Sequence, residues 1–316
     1  MAVTGTKTNG GKAAAGTQLS IDPALLQRLK GIDLKSRFLV QGLYSNRHRT
    51  AQHGSSTEFV EHRQYRRGDE LRTIDWRVLA RTDRLYVKVH EMESNMRVQL
   101  LLDTSDSMRV PPPAGLPSKL DLAATIAGAM AMMVETQQDA FGLLCLGNRI
   151  EEHIPARQGK THLSTIYQHL GNPPGDGGGR FGELVMEAGQ RVGSRGMVVL
   201  LTDALDDPEK LFEAMKVLRV RQQDVTLVQI LDRHEIEFPF DRMTEFRHPE
   251  TKRRIVGDPA ALRAKYLARL EAHLDLVAKY CQRSQADYLQ LDNGDDLVKL
   301  LSLHLIRRLV QGGRAC

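Results

Sequence analysis

Residues 98–108 read VQLLLDTSDSM, an apolar run that ends in Asp103-x-Ser105-x-Ser107. Five uncharged residues between polar segments fit a strand buried on both faces, as in a sheet covered by helices. The strand ends on a carboxylate followed by two hydroxyls. In open α/β sheets the carboxyl ends of the strands are where ligands bind. Carboxylate, hydroxyl and water are hard oxygen donors that suit Mg²⁺ or Mn²⁺. The stretch therefore predicts a divalent-cation site on a doubly wound domain.

Outward from this strand, the pattern alternates between strands and helices. Ser118 stands where an N-cap would open a helix over Leu120–Thr136, and Phe141–Leu146 reads as the next strand, with a hairpin partner at Ile150–Pro155. Helices follow over Thr161–Leu170 and from Phe181 to about Val192, separated by the loop GNPPGDGGG at residues 171–179. Met197–Leu201 is a second buried strand, ending in Thr202-Asp203. Asp207-Pro208 opens a helix to about Val220, and Val225–Leu231 is another strand. Residues 233–257 read as an inserted hairpin turning near Pro249-Glu250-Thr251. Asp258-Pro259 starts a long amphipathic helix to about Arg283, followed by a strand at Tyr288–Leu291 and a helix over Asp296–Val310. This alternation predicts an α/β fold with a doubly wound, mostly parallel sheet and helices on both faces.

The N-terminal part reads differently. Residues 1–19 are small and polar, without the apolar stretch of a signal peptide, and are expected to be a disordered tail. Asp22-Pro23 opens a short helix striped by Leu25, Leu26 and Leu29. Residues 33–95 show no clear period, so extended segments and turns are expected, including a strand at Arg84–His90. The net charge is +5, and residues 1–95 carry the excess: 16 Lys and Arg against 10 Asp and Glu, with 28 against 29 in the remainder. The domain reading is a disordered tail at 1–19, a basic region at 20–95, a doubly wound α/β domain at 96–311 that carries the inserted hairpin 233–257, and a tail at 312–316. Such a basic face suits nucleic acid, an anionic surface or an acidic protein, or a solvated face closing its own ion pairs. Aromatics for base stacking are sparse there, which argues against single-strand binding.

No apolar run reaches the roughly 18–20 residues of a membrane span. Cys145, Cys281 and Cys316 are scattered and odd in number, and they fit a reducing cytosol with no disulfide framework. The stretch Gly177-Gly178-Gly179-Arg180-Phe181-Gly182 matches G-x-G-x-x-G but has no strand before it, which excludes a dinucleotide fingerprint.

Two strand-end carboxylates point most directly to a site. In a doubly wound sheet the Met197–Leu201 strand would neighbour Val98–Leu102 across the switch point, bringing Asp203 towards Asp103. Asp207 can cap the following helix, which would leave Asp203 free. A second acidic group lies upstream: Glu58, Glu61, Asp69 and Asp75, interleaved with Arg63 and Arg72 and followed by Trp76. These acids and arginines could close buried ion pairs, or serve as acid/base groups of a metal-dependent hydrolase such as a phosphatase or nuclease. No nucleophile–base spacing accompanies them. His48 and His53, with Arg47 and Arg49, read as a solvated basic turn.

From Gly54 to Met108 the chain contains EF..HR.Y..GDE.R.IDW...AR.DRLYVK....ES and then LLLDTSDSM. This combination resembles the bacterial "domain of unknown function 58" family over roughly residues 21–310. That family is similar to von Willebrand factor A-like domains, and its members are commonly encoded beside MoxR-type AAA+ ATPases. The resemblance implies a cytoplasmic, non-enzymatic adaptor or co-chaperone of such an ATPase, binding partners that present an acidic residue. It also implies a metal-ion-dependent adhesion site. Asp103, Ser105 and Ser107 match its first element and Asp203 its last. A Thr from the Gly-rich loop would complete it, but that position falls at Gly179 or Arg180. Water could fill the vacancy, or the Arg180 guanidinium could turn inward and pair with Asp103 or Asp203 in place of a cation.

Overall fold

The computed structural model describes residues 29–50, 62–64, 78–79, 81, 84–88, 96–175, 177–178 and 180–298. The fold is α/β, with a doubly wound, mostly parallel sheet and helices on both faces. Its centre is β3 (Arg97–Asp103), the apolar run quoted above. Every β3 residue after Arg97 is buried, and Leu100, Leu101 and Leu102 have no exposure. Burying each such side chain contributes roughly 1.5–3 kcal/mol.

Four segments precede or flank this centre in the chain. They are α1 (Ile32–Thr50), β1 (His62–Gln64), β2 (Tyr86–Lys88) and, after β3, a single 3₁₀ turn at Asp106–Arg109. Then come α2 (Lys119–Thr136), β4 (Ala140–Leu146), β5 (Ile150–Arg157), α3 (Lys160–Gly171), α4 (Phe181–Arg191) and β6 (Gly196–Thr202). The chain continues through α5 (Pro208–Val220), β7 (Gln223–Leu231), α6 (Arg233–Glu237), β8 (Thr244–Arg247), β9 (Arg254–Gly257), α7 (Pro259–Arg283) and β10 (Asp287–Asp292). The six-stranded sheet has the order β10-β7-β6-β3-β4-β5. All neighbours are parallel except β4 and β5, so the antiparallel strand lies at one edge.

The strand order reverses at β3. The chain leaves it for β4 on one side and returns to β6 on the other, so the C-terminal ends of β3 and β6 form the switch point. Leu100 and Leu102 face the core layer that also holds Leu39, Ile126 and Ile166, while Leu101 faces the layer of Val185, Ala214 and Val277. Period-2 alternation in a strand covered on both sides explains the division.

The caps follow local chemistry. Ser118 accepts from Asp121 N–H, Asp207 from Glu209 N–H and Asp258 from Ala260 N–H. Pro stands in the first turn of α5 and of α7, where its missing N–H costs nothing.

The stretch at 32–50 differs from the expected extended chain: it is helix α1. Its buried residues Ile32, Ser36, Leu39, Val40 and Leu43 recur at helical spacing, a stripe diluted by Ser36 and the charges around it. Ser36 Oγ donates to Thr125 O at 3.5 Å and packs against Gly128, where any Cβ would collide with that hydroxyl. Lys35 Nζ adds an ion pair to Asp121 at 3.1 Å. Tertiary packing on α2 thus makes this weakly patterned segment helical.

The strand expected at Arg84–His90 is seen over Tyr86–Lys88, paired antiparallel with His62–Gln64. The tail, the Asp22-Pro23 helix, Glu58, Glu61, Asp69, Asp75, Trp76, His53 and the side chain of His48 lie outside the described residues, as does the C-terminal helix beyond Val298.

Candidate functional site at the switch point

Asp103 is the last residue of β3, and Asp203 follows the last residue of β6. The parallel register sets Leu102 beside Leu201, which brings the two acidic side chains to one end of the sheet. Each is only 3 % exposed. Asp103 Oδ1 accepts from Ser105 N–H at 3.0 Å, and Oδ2 accepts from the Thr202 hydroxyl at 2.6 Å. Burial, together with the charge of Asp203, pushes the Asp103 carboxyl up to about 7. Ser105 Oγ and Ser107 Oγ lie 2.9 Å apart on the loop that follows.

The turn after Asp203 is held tightly. Ala204 has φ of 51°, a left-handed conformation that is costly for a residue with a Cβ. It lets Ala204 N–H reach the Thr202 hydroxyl at 3.0 Å and Leu205 N–H reach Asp203 Oδ1 at 3.2 Å. Backbone strain of this kind collects at functional sites.

Asp203 is not free. Asp207 does cap α5, but Asp203 Oδ2 accepts from Lys119 Nζ at 2.9 Å, and Lys119 Nζ also donates to Glu235 Oε1 at 2.6 Å. Lys119 is 1 % exposed. Burial alone would lower its pKa, yet Asp203 and Glu235 hold the ammonium above its ordinary range, so it stays charged. Glu235 is itself fixed by the Asp232 capping box at the start of α6.

Arg180 does not pair with either aspartate. Its guanidinium turns outward, 58 % exposed, and Nε donates to Glu183 Oε2 at 2.7 Å. Of the two ways considered for filling the vacancy, the inward turn is not the one taken: Glu183 at i+3 is reached without desolvating the arginine. The internal cation is Lys119 instead.

In place of the missing Thr, the Gly-rich loop brings Gly178 to the site. Its φ is +151°, and a Cβ there would lie 2.5 Å from Ser105 Cβ and 2.6 Å from Glu250 Oε1. Glu250 comes from the β8–β9 connection. A cavity of about 550 Å³ opens here, with Asp103, Ser105 and Asp203 at its polar end and Phe238, Phe246 and Tyr266 along its apolar wall.

Sequence reasoning missed Lys119, Glu235 and Glu250. Asp232 offered a partial signal, since β7 also ends an apolar run on an aspartate. Lys119, beside a cap and before an Ala-rich helix, reads as a solvated first-turn residue. No group of three His, Cys, Asp or Glu side chains arranged to hold a metal occurs among the described residues. A cation here would therefore depend on the hydroxyls as well.

The chain belongs to the family described as "Protein of unknown function DUF58", whose model matches residues 61–275. Uncharacterized proteins of Mycobacterium tuberculosis and Mycobacterium bovis are each 26 % identical over 280 residues, 87 % of this chain and 87 % of theirs. Among solved structures, BatB from Bacteroides thetaiotaomicron is 18 % identical, over 67 % of this chain and 98 % of that one, with a TM-score of 0.43. An aerotolerance-related membrane protein from Bacteroides fragilis is 19 % identical, over 67 % and 99 %, with a TM-score of 0.44. The SpRpn10 VWA domain is 11 % identical, over 65 % and 93 %, with a TM-score of 0.38. Among the described residues no helix is long and apolar enough to cross a membrane.

Proposed function

We propose that this protein is a non-enzymatic protein–protein interaction module that holds Mg²⁺ or Mn²⁺ at Asp103, Ser105 and Ser107, with Asp203 orienting a water ligand. The observation that carries this reading is the pair of buried carboxylates at the switch point, of which only Asp203 has an ammonium beside it among the described residues. The donors fit a hard cation: a carboxylate and two adjacent hydroxyls at one strand end. A second positive charge would relieve the repulsion that raises Asp103. When bound, the cation supplies an open coordination position for a partner's carboxylate.

The same reading makes the Gly178 wall and the apolar side of the cavity the surface around that carboxylate. Membership in the family, through the resemblance described above, supports a MoxR-type AAA+ ATPase as the partner and a cytoplasmic setting. The buried free thiols Cys145 and Cys281 are compatible with that setting. Tagged protein in Mg²⁺ is expected to retain an AAA+ ATPase from its host, with recovery reduced by EDTA and by Ser105→Ala. Equal recovery in all three conditions would remove the site from the interaction.

A further inference from the structure

The β8–β9 hairpin leans over the end of the sheet that holds Asp103 and Asp203. Its tip is ordered by its own contacts: His248 Nδ1 accepts from Glu250 N–H and Thr251 N–H, each at 3.2 Å. Lys252 Nζ ties the tip to the site loop through Asp106 Oδ2 at 2.8 Å and also donates to Pro249 O. Asp106 lies between Ser105 and Ser107, so the tether reaches the loop that carries both hydroxyls. Across Gly178, the absence of a side chain lets the Glu250 carboxylate approach Ser105. Besides the edge-on contact of Phe246 with Phe240 at 5.3 Å and the Arg254–Glu245 ion pair at 3.2 Å, much of the hairpin is open to solvent. Met243, Ile255 and Val256 are 70 %, 64 % and 65 % exposed, and its main apolar anchor is Phe246, stacked on Phe238 at 5.5 Å.

The Glu250 carboxylate lines the cavity together with Asp203 and Asp206 and faces the charge of Asp106 as well, opposed by His248. A carboxylate set among others at a cavity mouth is unfavourable unless a proton or a cation joins them.

Resting on the reading above, we propose that Glu250 is the site's own competitor: the hairpin covers the cation's open side with a carboxylate of the same chain, and a partner carboxylate binds only when the tip is displaced. The occupant of the uncovered site is then an acidic side chain on a short turn like the tip itself. Closure of this kind lowers the apparent affinity for a partner by the fraction of molecules that are open.

The test uses the full chain, Mn²⁺ as the probe cation, and a synthetic peptide of residues 247–253 as the probe carboxylate. Glu250→Gln keeps the shape of the tip and removes its charge. In Mn²⁺, Glu250→Gln is expected to bind the peptide about tenfold more tightly than the wild type. Lys252→Ala, which keeps Glu250 and cuts the tether, should lie between them. In the wild type, Mn²⁺ should slow amide hydrogen exchange over residues 244–257, and in Glu250→Gln it should not. If Mn²⁺ binds the wild type, is lost in Asp103→Ala, and yet peptide affinity and hairpin exchange match between wild type and Glu250→Gln, the hairpin inference is overturned while the cation site stands. If Mn²⁺ binds no better to wild type than to Asp103→Ala, both fall.

Discussion

Lys119 stands at the first position of α2 with its ammonium enclosed by Asp203 and Glu235, residues 84 and 116 positions away in the chain. A buried ion of this kind stabilises little relative to a well-packed apolar replacement of the whole group, but removing one partner strands the others. Lys119→Met therefore leaves Asp203 without a cation at a position that is 3 % exposed. The expected loss is about 3–5 kcal/mol, read as a lower urea midpoint with an unchanged slope. Adding Asp203→Leu to Lys119→Met should recover part of it. A single variant as stable as the wild type would show that Asp203 finds another cation in solution.

At the scale of elements, α1 shows how packing overrides a weak local pattern. Its seat on α2 depends on Gly128, where a Cβ would lie 2.3 Å from Ser36 Oγ and 3.2 Å from Tyr167 Cε1. Gly128→Leu should force the two helices apart, with a cost of about 1–3 kcal/mol for overpacking. Because α1 lies outside the sheet, the loss should appear first as faster hydrogen exchange over 32–43, with β3 and β6 still protected. Uniform loss of protection over the whole domain would contradict this and make α1 part of the same cooperative unit. The strands behave differently: β3, β4 and β6 are apolar over most of their length and almost wholly buried, whereas β7 mixes in Gln223, Asp224, Thr226 and Gln229 and is buried at all of them but Asp224.

For the whole molecule, the sheet order decides where function can reside. Because β3 and β6 are neighbours and parallel, both apolar runs deliver their terminal carboxylates to one end. A cation binding there stabilises the folded state only, by about 2.7 kcal/mol at a hundredfold excess over Kd. Mg²⁺ or Mn²⁺ should therefore raise the melting temperature by several degrees, at roughly 2–4 °C per kcal/mol for a domain of this size. Asp103→Asn should abolish the shift without changing the melting temperature in EDTA by a similar amount. An equal cation effect in the variant would place binding elsewhere.

Much of this architecture was legible in the linear chain, for a physical reason. Runs such as 98–102 and 197–201 are buried on both faces, so nearly every position is apolar, Gln99 with its hydrogen bond to Ile154 O being the exception, and the run announces itself. Caps at Ser118, Asp207 and Asp258 are local hydrogen bonds, set by residues within three positions. Parallel strands separated by helices then constrain the sheet, and Asp103 and Asp203 follow as strand ends. The surroundings of those two residues were not legible. Lys119 is charged and would ordinarily be solvated, Arg180 had a nearer partner in Glu183, and Glu250 lies on a hairpin whose tip reaches Asp106 across 146 positions. Nothing local distinguishes these residues, because their energies come from desolvation and from charges that only the folded chain brings together.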